Sequence, residues 1–223
     1  MPSLTVENYL KAMLQIGIRE QCPWISTGRL ARALSVSPGT VTTMLKSLSE
    51  GGLVEYVPYR GAQLTPAGRR LATRILRRHR LLELFLVRTL DLTWDQVHDE
   101  AENMEHAVSD FLVDRIDEFL GFPTIDPHGD PIPNPDGSMR SDNSDSRLLS
   151  ECPGGSAVRV VRVLNQDQQF LRFLATRGIG LGTRVQVTAQ HDQSVTVRVP
   201  GADTFPLPVQ AAESVLVEIC DDH

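Results

Sequence analysis

Histidine and glutamate side chains recur at helical spacing near the middle of this 223-residue chain. The set comprises His79 and Glu83, followed by His98, Glu102, Glu105 and His106. Positions three and four apart share one face of a helix, so the second run would converge within an arc of roughly 100°. Imidazole and carboxylate groups together suit a divalent transition metal. The spacing therefore predicts a metal cluster carried by helices.

The chain before this set has the pattern of a winged helix-turn-helix domain. Predicted helices and a two-strand hairpin follow one another in the order expected for that domain: helices over 6–17, 26–34 and 38–50, the hairpin over 53–64, and a long helix over 66–89. Ser37 is a suitable N-cap and Pro38 a suitable first residue for the third helix. Thr65 is likewise a suitable N-cap, and Pro66 a suitable first residue, for the fourth helix.

The third predicted helix would be the recognition helix of such a domain. Its outward residues are small, polar or cationic, namely Ser37, Pro38, Gly39, Thr40, Thr42, Thr43 and Lys46. Side chains of this kind let a helix approach base edges and phosphates closely, and Tyr59 and Arg60 in the hairpin turn would lie near phosphate or the minor groove. Residues 1–80 carry 12 Lys and Arg against 4 Asp and Glu, which suits DNA. The alternative is a small helical domain without a role in DNA binding.

The next part of the chain is acidic and carries a long apolar stripe. Residues 81–128 hold 2 Lys and Arg against 12 Asp and Glu, which suits cations or simply a solvated helix face. The stripe, on one or two helices from Trp94 to about Leu120, consists of Val97, Ala101, Met104, Val108, Leu112, Ile116 and Phe119. A single layer of protein would leave much of it uncovered, so we expect a homodimer interface. Packing within the chain is the alternative.

The last third changes composition twice. Pro, Gly, Asp and Ser dominate a predicted linker that is partly extended or mobile, and short β runs then predict an SH3-like barrel. These runs cover 158–164, 184–189, 194–199 and 214–219, with a short helix over 171–177.

The predicted fold class of the whole chain is mainly α with a small β part. The predicted boundaries are 1–72 for the DNA-binding domain, 73–127 for a helical metal-binding and dimerisation domain, 128–153 for the linker and 154–223 for the barrel.

Several motifs together resemble the diphtheria toxin repressor family of iron- and manganese-dependent regulators. They are Tyr59-Arg60-Gly61, Leu64-Thr65-Pro66-Ala67-Gly68, His79-Arg80-Leu81-Leu82-Glu83, Val97-His98-Asp99-Glu100-Ala101-Glu102, Met104-Glu105-His106 and Gly129-Asp130-Pro131-Ile132-Pro133. The terminal domain is similar to the FeoA-like SH3 module. The resemblance spans almost the whole chain.

The resemblance implies two metal sites in each subunit. One would use His79, Glu83 and His98, completed from the SH3-like domain by Gln166, Asp167 and Gln169, which lie near where family members supply the additional ligands. The other would use Glu102, Glu105 and His106 with a first-helix residue, which is Asn8 here. Position 11 is Lys, where manganese members often carry a further carboxylate. Oxygen ligands in place of Met and Cys favour Mn²⁺, with Fe²⁺ close behind.

These observations predict a metal-activated repressor of metal-uptake genes that binds a palindromic operator as a homodimer. Two alternatives are a winged-helix regulator without metal control and a small metalloenzyme. The second lacks an HExxH motif, a nucleophile elbow and a P-loop, so we expect no enzyme and no small-molecule substrate. The three scattered cysteines form no CxxC pair, no stretch is long and apolar enough for a membrane span, and no signal sequence is evident. A cytoplasmic protein is therefore expected.

Overall fold

The computed structural model describes residues 3–141 and 145–220, which form two compact units. The first unit holds the chain up to His79 together with residues 105–108 and 133–138. The second holds the other described residues.

The first unit is the predicted winged helix-turn-helix. Its elements are α1 (Leu4–Glu20), α2 (Thr27–Ala33), α3 (Pro38–Glu50), β1 (Val54–Val57), β2 (Gly61–Leu64) and the beginning of α4 (Pro66–Leu90). Ser26 and Ser37 cap α2 and α3 with their hydroxyl groups, as N-cap serines do. β1 and β2 pair antiparallel, and Ile25 forms a bridge to Ala62 beside them. The apolar faces of the helices and the hairpin enclose one core, which includes Leu10, Met13, Leu30, Val41, Leu45 and Val54.

Gly68, in the first turn of α4, fixes how closely that helix approaches the hairpin. A Cβ atom added there would lie 1.9 Å from the backbone oxygen of Leu53, so the two backbones would have to move apart. We expect Gly68→Ala to lower the free energy of unfolding by about 3 kcal/mol. Gly28→Ala is the control, because nothing lies within 4 Å of its added Cβ and alanine favours a helix by up to ~1 kcal/mol. Urea unfolding of the two variants measures this difference, and similar stabilities would contradict it.

The second unit contains the end of α4, two further helices and a sheet. α5 (Val97–Met104) and α6 (Asp110–Phe119) divide the stretch predicted as one or two helices. The sheet has six antiparallel strands in the order β3-β8-β4-β5-β6-β7. Its strands and helices are β3 (Arg147–Leu148), β4 (Ala157–Val163), α7 (Gln168–Ala175), β5 (Arg184–His191), β6 (Ser194–Arg198), β7 (Phe205–Pro208), α8 (Val209–Ala212) and β8 (Val215–Ile219), with a 3₁₀ turn at Leu149–Glu151. Alternating valines of the sheet pack against Leu171 and Leu174 of α7.

The four predicted strands of this sheet are present, and the structure adds two edge strands. β3 has only two residues, and β7 contains Pro206 and Pro208. A proline cannot donate to a ladder of hydrogen bonds, which confines it to edges. This explains both why β7 lies at the edge and why the sequence pattern did not indicate a strand there. The predicted fold class, mainly helical with a small SH3-like β domain, is confirmed.

Part of the predicted linker is packed rather than extended. His128 and Ile132 are fully buried in the second unit, and the amide of Val163 in β4 donates a hydrogen bond to the backbone oxygen of His128 at 2.8 Å. Gly129 has φ +87°, and a Cβ there would lie 2.1 Å from the backbone oxygen of Val161. The loop therefore lies directly on β4, which only glycine permits at this point.

The predicted apolar stripe divides into a buried and an exposed part. Val97, Ala101 and Ile116 are buried within the second unit, so packing within the chain accounts for them. Leu112 and Phe119 on α6 are exposed, as are Phe111 and Phe122. The outer face of α6 thus remains the surface where we expect a second subunit. Across the described ranges, every helix is too short or too polar to cross a lipid bilayer.

Candidate metal centres and DNA-binding surface

One group of ionisable side chains converges in the first unit, and we call it the Glu105 cluster. Its members are Glu7 and Lys11 from α1, His79 from α4, and Glu105 and His106 from the turn that follows α5. Glu7 and Lys11 share a face of α1 because they are four positions apart. α5 ends at Met104, so the predicted single helical arc from His98 to His106 is wrong in its second half. The chain turns there, which brings Glu105 and His106 into the first unit.

Glu105 is the centre of this cluster and is fully buried. Its Oε2 lies 2.7 Å from Nδ1 of His79, and its Oε1 lies 2.7 Å from Nζ of Lys11 and 3.2 Å from Nε2 of His106. On the other side of the His106 ring, Nδ1 lies 2.6 Å from Oε2 of Glu7. Burial alone would raise the pKa of Glu105, but the hydrogen bond and charge of His79 and the charge of Lys11 outweigh it and lower the pKa. The carboxylate is therefore ionised at neutral pH and able to bind a cation.

The donor atoms of the Glu105 cluster fit a divalent metal ion. Two carboxylates and two imidazoles face one another there; His79 and Glu105 are buried, and Glu7 and His106 are nearly so. Among the described residues, the buried Oδ1 of Asn8 has no hydrogen-bond partner, and Nε2 of His106 has the 3.2 Å contact with Glu105 but no hydrogen bond of good geometry. Buried polar atoms in native proteins are rarely left in this state, and a metal ion would satisfy them.

Sequence reasoning assigned the first-helix ligand to Asn8 and did not identify Glu7. The structure places the Glu7 carboxylate on His106, one position before the predicted residue. The sequence did contain a signal for Glu7. It is a carboxylate in the first turn of α1, four positions before Lys11 and therefore on the same face of the helix. Glu102, predicted for the same site, belongs to the second unit, where its Oε1 lies 3.9 Å from Nε2 of His98.

A second group of ionisable side chains lies in the second unit, and we call it the Glu83 cluster. It consists of Arg80, Glu83, His98, Asp126, His128, Asp130 and Arg162. Oε1 of Glu83 lies 3.3 Å from Nδ1 of His98, and Oε2 lies 3.7 Å from Nδ1 of His128. Glu83, Asp126 and His128 each bring one possible ligand atom to within 4.8 Å of the others, and all three are buried. The sequence predicted Glu83 and His98 here, while Asp126 and His128 stood in or beside a stretch interpreted as a linker.

The charges of the Glu83 cluster are nearly balanced by its own residues. Arg80 lies 3.6 Å from Asp126 and 3.3 Å from Asp130, and Arg162 also pairs with Asp130. Burial, together with the negative charges of Asp130 and Glu83, raises the pKa of Asp126 to about 7. Glu83, Asp126 and His128 could hold a metal ion in exchange for the proton on His128, because a histidine must be neutral to bind a metal.

His128 should make the stability of the metal-free protein depend on pH. Burial would lower the pKa of His128, but Glu83 and Asp126 outweigh burial and raise it from 6.5 to about 9. The folded state thus holds this proton more tightly, and the stabilisation is complete below pH ~6.5 and lost as the pH rises through about 9. We expect the free energy of unfolding of the wild type to fall by an amount on the order of 3 kcal/mol between these two pH values. His128→Gln should not show this fall. Urea unfolding at several pH values measures this fall. His191→Gln, at an exposed position, is the control and should behave as the wild type does. An equal fall in His128→Gln and His191→Gln would contradict the prediction.

The three ligands predicted from the SH3-like domain differ in their placement. Nε2 of Gln166 donates a hydrogen bond to Oδ2 of Asp130 at 3.0 Å, which puts this side chain beside the Glu83 cluster. Asp167 is the N-cap of α7 and accepts from the amides of Gln169 and Phe170. Asp167 and Gln169 are exposed. Of the three, only Gln166 is joined to the cluster by a hydrogen bond within the described part of the chain.

The predicted recognition surface is present on α3. Ser37, Pro38, Gly39, Thr40, Thr43 and Lys46 are exposed, and Thr42 is half-buried. The hydroxyls of Thr42 and Thr43 donate to the backbone oxygens of Pro38 and Gly39 at 2.9 and 3.1 Å. These bonds hold both side chains close to the helix backbone. This face of α3 can therefore fit closely into a DNA groove.

The hairpin turn carries the other two predicted DNA-binding residues. Tyr59 projects fully into solvent from a left-handed backbone with φ 65°. The Arg60 guanidinium lies 3.8 Å from the centre of the Trp24 ring, a cation–π contact that holds the arginine at the hairpin. Both residues are therefore presented at the tip of the wing.

Comparison with known proteins divides the chain into three matched parts. A family model described as the N-terminal DNA-binding domain of iron-dependent repressors matches residues 1–62. A model of the metal-binding and dimerisation domain of the same repressors matches residues 65–134. A FeoA domain model matches residues 147–219.

Similar proteins cover nearly the whole chain. The iron-dependent repressor IdeR of Mycobacterium tuberculosis is 33% identical over 226 residues, which is 96% of each chain. The diphtheria toxin repressor of Corynebacterium diphtheriae is 30% identical over 213 residues, covering 89% of this chain and 90% of that protein. A solved manganese-dependent transcriptional repressor in complex with manganese has a TM-score of 0.84 at 40% identity, covering 96% of this chain and 100% of the other.

Proposed function

Because this chain belongs to the family of iron-dependent repressors, we propose that it represses metal-uptake genes by binding a palindromic operator as a homodimer when loaded with Mn²⁺ or Fe²⁺. Membership of the family makes the protein a metal-dependent DNA-binding transcriptional regulator and not an enzyme. It also carries a dimerisation domain. A two-fold dimer presents two recognition helices about one turn of DNA apart, and an operator with the same symmetry matches it.

The observation that carries the proposal is that the Glu105 cluster includes α1 of the DNA-binding domain. Glu7 and Lys11 tie α1 to Glu105 and His106. α1 packs on α2, and α2 packs on α3, within one core. A bound metal ion would supply positive charge that holds the two carboxylates together. The position of α1, and through it that of α3, therefore depends on the state of this cluster, which links metal binding to DNA binding reciprocally.

The chemistry of the donors supports Mn²⁺ first and Fe²⁺ second. The Glu105 and Glu83 clusters contain carboxylates and imidazoles, and within the described residues neither includes a Cys or Met side chain. Such donors favour harder cations. We propose Glu7 as an additional ligand and retain the predicted ligands and domain boundaries as proposals. We also propose that the protein acts in the cytoplasm, since it binds DNA and its cysteines are free.

Binding to the DNA upstream of its own gene tests the proposed function. The metal-stripped protein is titrated against labelled DNA with Mn²⁺, or with Fe²⁺ under anaerobic conditions, and a chelator then reverses the reaction. We expect tight binding only with metal, and the lower activating concentration ranks the two ions. Binding that ignores both metal and chelator would leave a winged-helix regulator without metal control.

A further inference from the structure

Trp24, in the segment that leads into α2, is fixed beside the wing by backbone hydrogen bonds. Its neighbour Ile25 is buried. The Ile25 amide donates to the backbone oxygen of Ala62 in β2 at 2.8 Å, and the Ala62 amide donates to the Ile25 oxygen at 2.9 Å. Gly61 permits this approach, because a Cβ atom there would lie 2.3 Å from the Ile25 oxygen. The backbone therefore sets the position of Trp24 relative to the hairpin.

The Arg60 guanidinium lies on this tryptophan, and its Cζ is 3.8 Å from the centre of the ring. The face of the ring attracts the positive charge and occupies none of the five N–H donors. Within the described part of the chain, no carboxylate pairs with Arg60, and its side chain is exposed. An oriented guanidinium with accessible donors is suited to bind an oxyanion through two parallel hydrogen bonds.

The guanidinium is turned away from the tip of the wing. The bridge to β2 places Trp24 level with Gln63, which is further from the hairpin turn than Arg60 is. Tyr59, in contrast, projects fully into solvent at the tip. Phosphates form the rims of a DNA groove, and the base edges lie at its floor. A side chain folded back along the hairpin can reach the rim, whereas contact with the floor would require Arg60 to leave Trp24.

We propose that Trp24 is a positioning residue for DNA binding, because its indole holds Arg60 as a clamp on one phosphate at the rim of the groove. This inference rests on the proposed function and assigns the arginine of the wing to the DNA backbone rather than to the bases. A guanidinium that is held in place before DNA arrives loses less conformational freedom on binding. A phosphate contact of this kind adds affinity for DNA of any sequence.

A double-mutant cycle between the two residues tests the proposal. The full-length wild type, Trp24→Leu, Arg60→Gln and the double variant are titrated with Mn²⁺ present, at low salt, against labelled upstream DNA and unrelated DNA of equal length. We expect Arg60→Gln to weaken binding about tenfold and Trp24→Leu about threefold to fivefold. In the Arg60→Gln background, Trp24→Leu should have no further effect, and each loss should be equal on the two DNAs. Arg198→Gln removes an exposed arginine outside the DNA-binding domain and should bind as the wild type does.

An equal loss from Trp24→Leu with and without Arg60 would overturn the proposal, because Trp24 would then act only on the stability of the wing. Losses confined to the upstream DNA would also overturn it, in favour of an arginine that reads bases in the minor groove. If circular dichroism shows that Trp24→Leu does not fold, Trp24→Phe replaces it in the cycle, since the smaller ring attracts a cation less strongly. No loss from Trp24→Phe, or a loss that does not depend on Arg60, would then contradict the proposal. The cycle measures DNA binding itself, so binding that ignores metal would remove the proposed regulation and leave this test intact.

Discussion

Glu105→Gln should abolish the activation of DNA binding by metal, weakening operator binding in saturating Mn²⁺ by about two orders of magnitude. The substitution keeps the shape of the side chain and removes the one charge that faces His79, Lys11 and His106 together. The neutral amide is a poorer metal ligand, and it leaves the Lys11 ammonium buried without its counter-charge. Fluorescence anisotropy with labelled upstream DNA, with and without Mn²⁺, measures the effect.

Glu100→Gln is the matched control for this experiment. Glu100 lies on α5 and is exposed, so the same loss of charge there should leave activation by Mn²⁺ unchanged. Circular dichroism establishes that both variants are folded before DNA is added. If Glu105→Gln responded to Mn²⁺ as the wild type does, the Glu105 cluster would not be the regulatory metal centre.

Lys46→Glu should weaken DNA binding by about one to two orders of magnitude while metal binding stays intact. Lys46 is exposed on α3, on the surface formed with Thr40 and Thr43. Removing a lysine that neutralises one phosphate reduces the slope of log K against log salt by about 1, and the new carboxylate adds repulsion. Titrations at four or more salt concentrations give both quantities.

Arg184→Glu serves as the control for Lys46→Glu. Arg184 begins β5 of the SH3-like domain and is exposed, so the same charge reversal falls outside the DNA-binding domain. Its salt slope should equal that of the wild type. An unchanged slope for Lys46→Glu would place the DNA-binding surface elsewhere than on α3.

Local signals in the sequence were enough to predict the winged helix. Ser37 and Pro38 mark the beginning of α3, Gly51 and Gly52 follow its end, and Thr65 caps α4. Each signal acts within about four residues, so it is readable without knowledge of the fold. The proline-containing strand β7 was not predicted, because its pairing is set by the neighbouring strand and not by its own sequence.

The two candidate metal clusters were only partly predictable for the same reason. The family motifs pointed to Glu83, Glu105 and His106, which the structure places in the two clusters, although Glu105 and His106 lie beyond the end of α5 and not on the predicted helix. Lys11 meets Glu105 across 94 positions of the chain, and His128 reaches Glu83 only because the loop around Gly129 lies on β4. Contacts of that kind depend on tertiary packing, and no local pattern of residue types specifies them.

The two tryptophans of the chain are divided between the two units. Trp24 lies under the guanidinium of Arg60 at the wing, and Trp94 stacks on the imidazole of His128, with ring centres 6.1 Å apart, beside Glu83. Indole emission responds to a cation against the ring, so each tryptophan is an intrinsic fluorescent reporter of its own surroundings. Replacing one with phenylalanine isolates the other. Changes in the surroundings of the wing and changes around His128 can therefore be followed separately by fluorescence, without an attached dye.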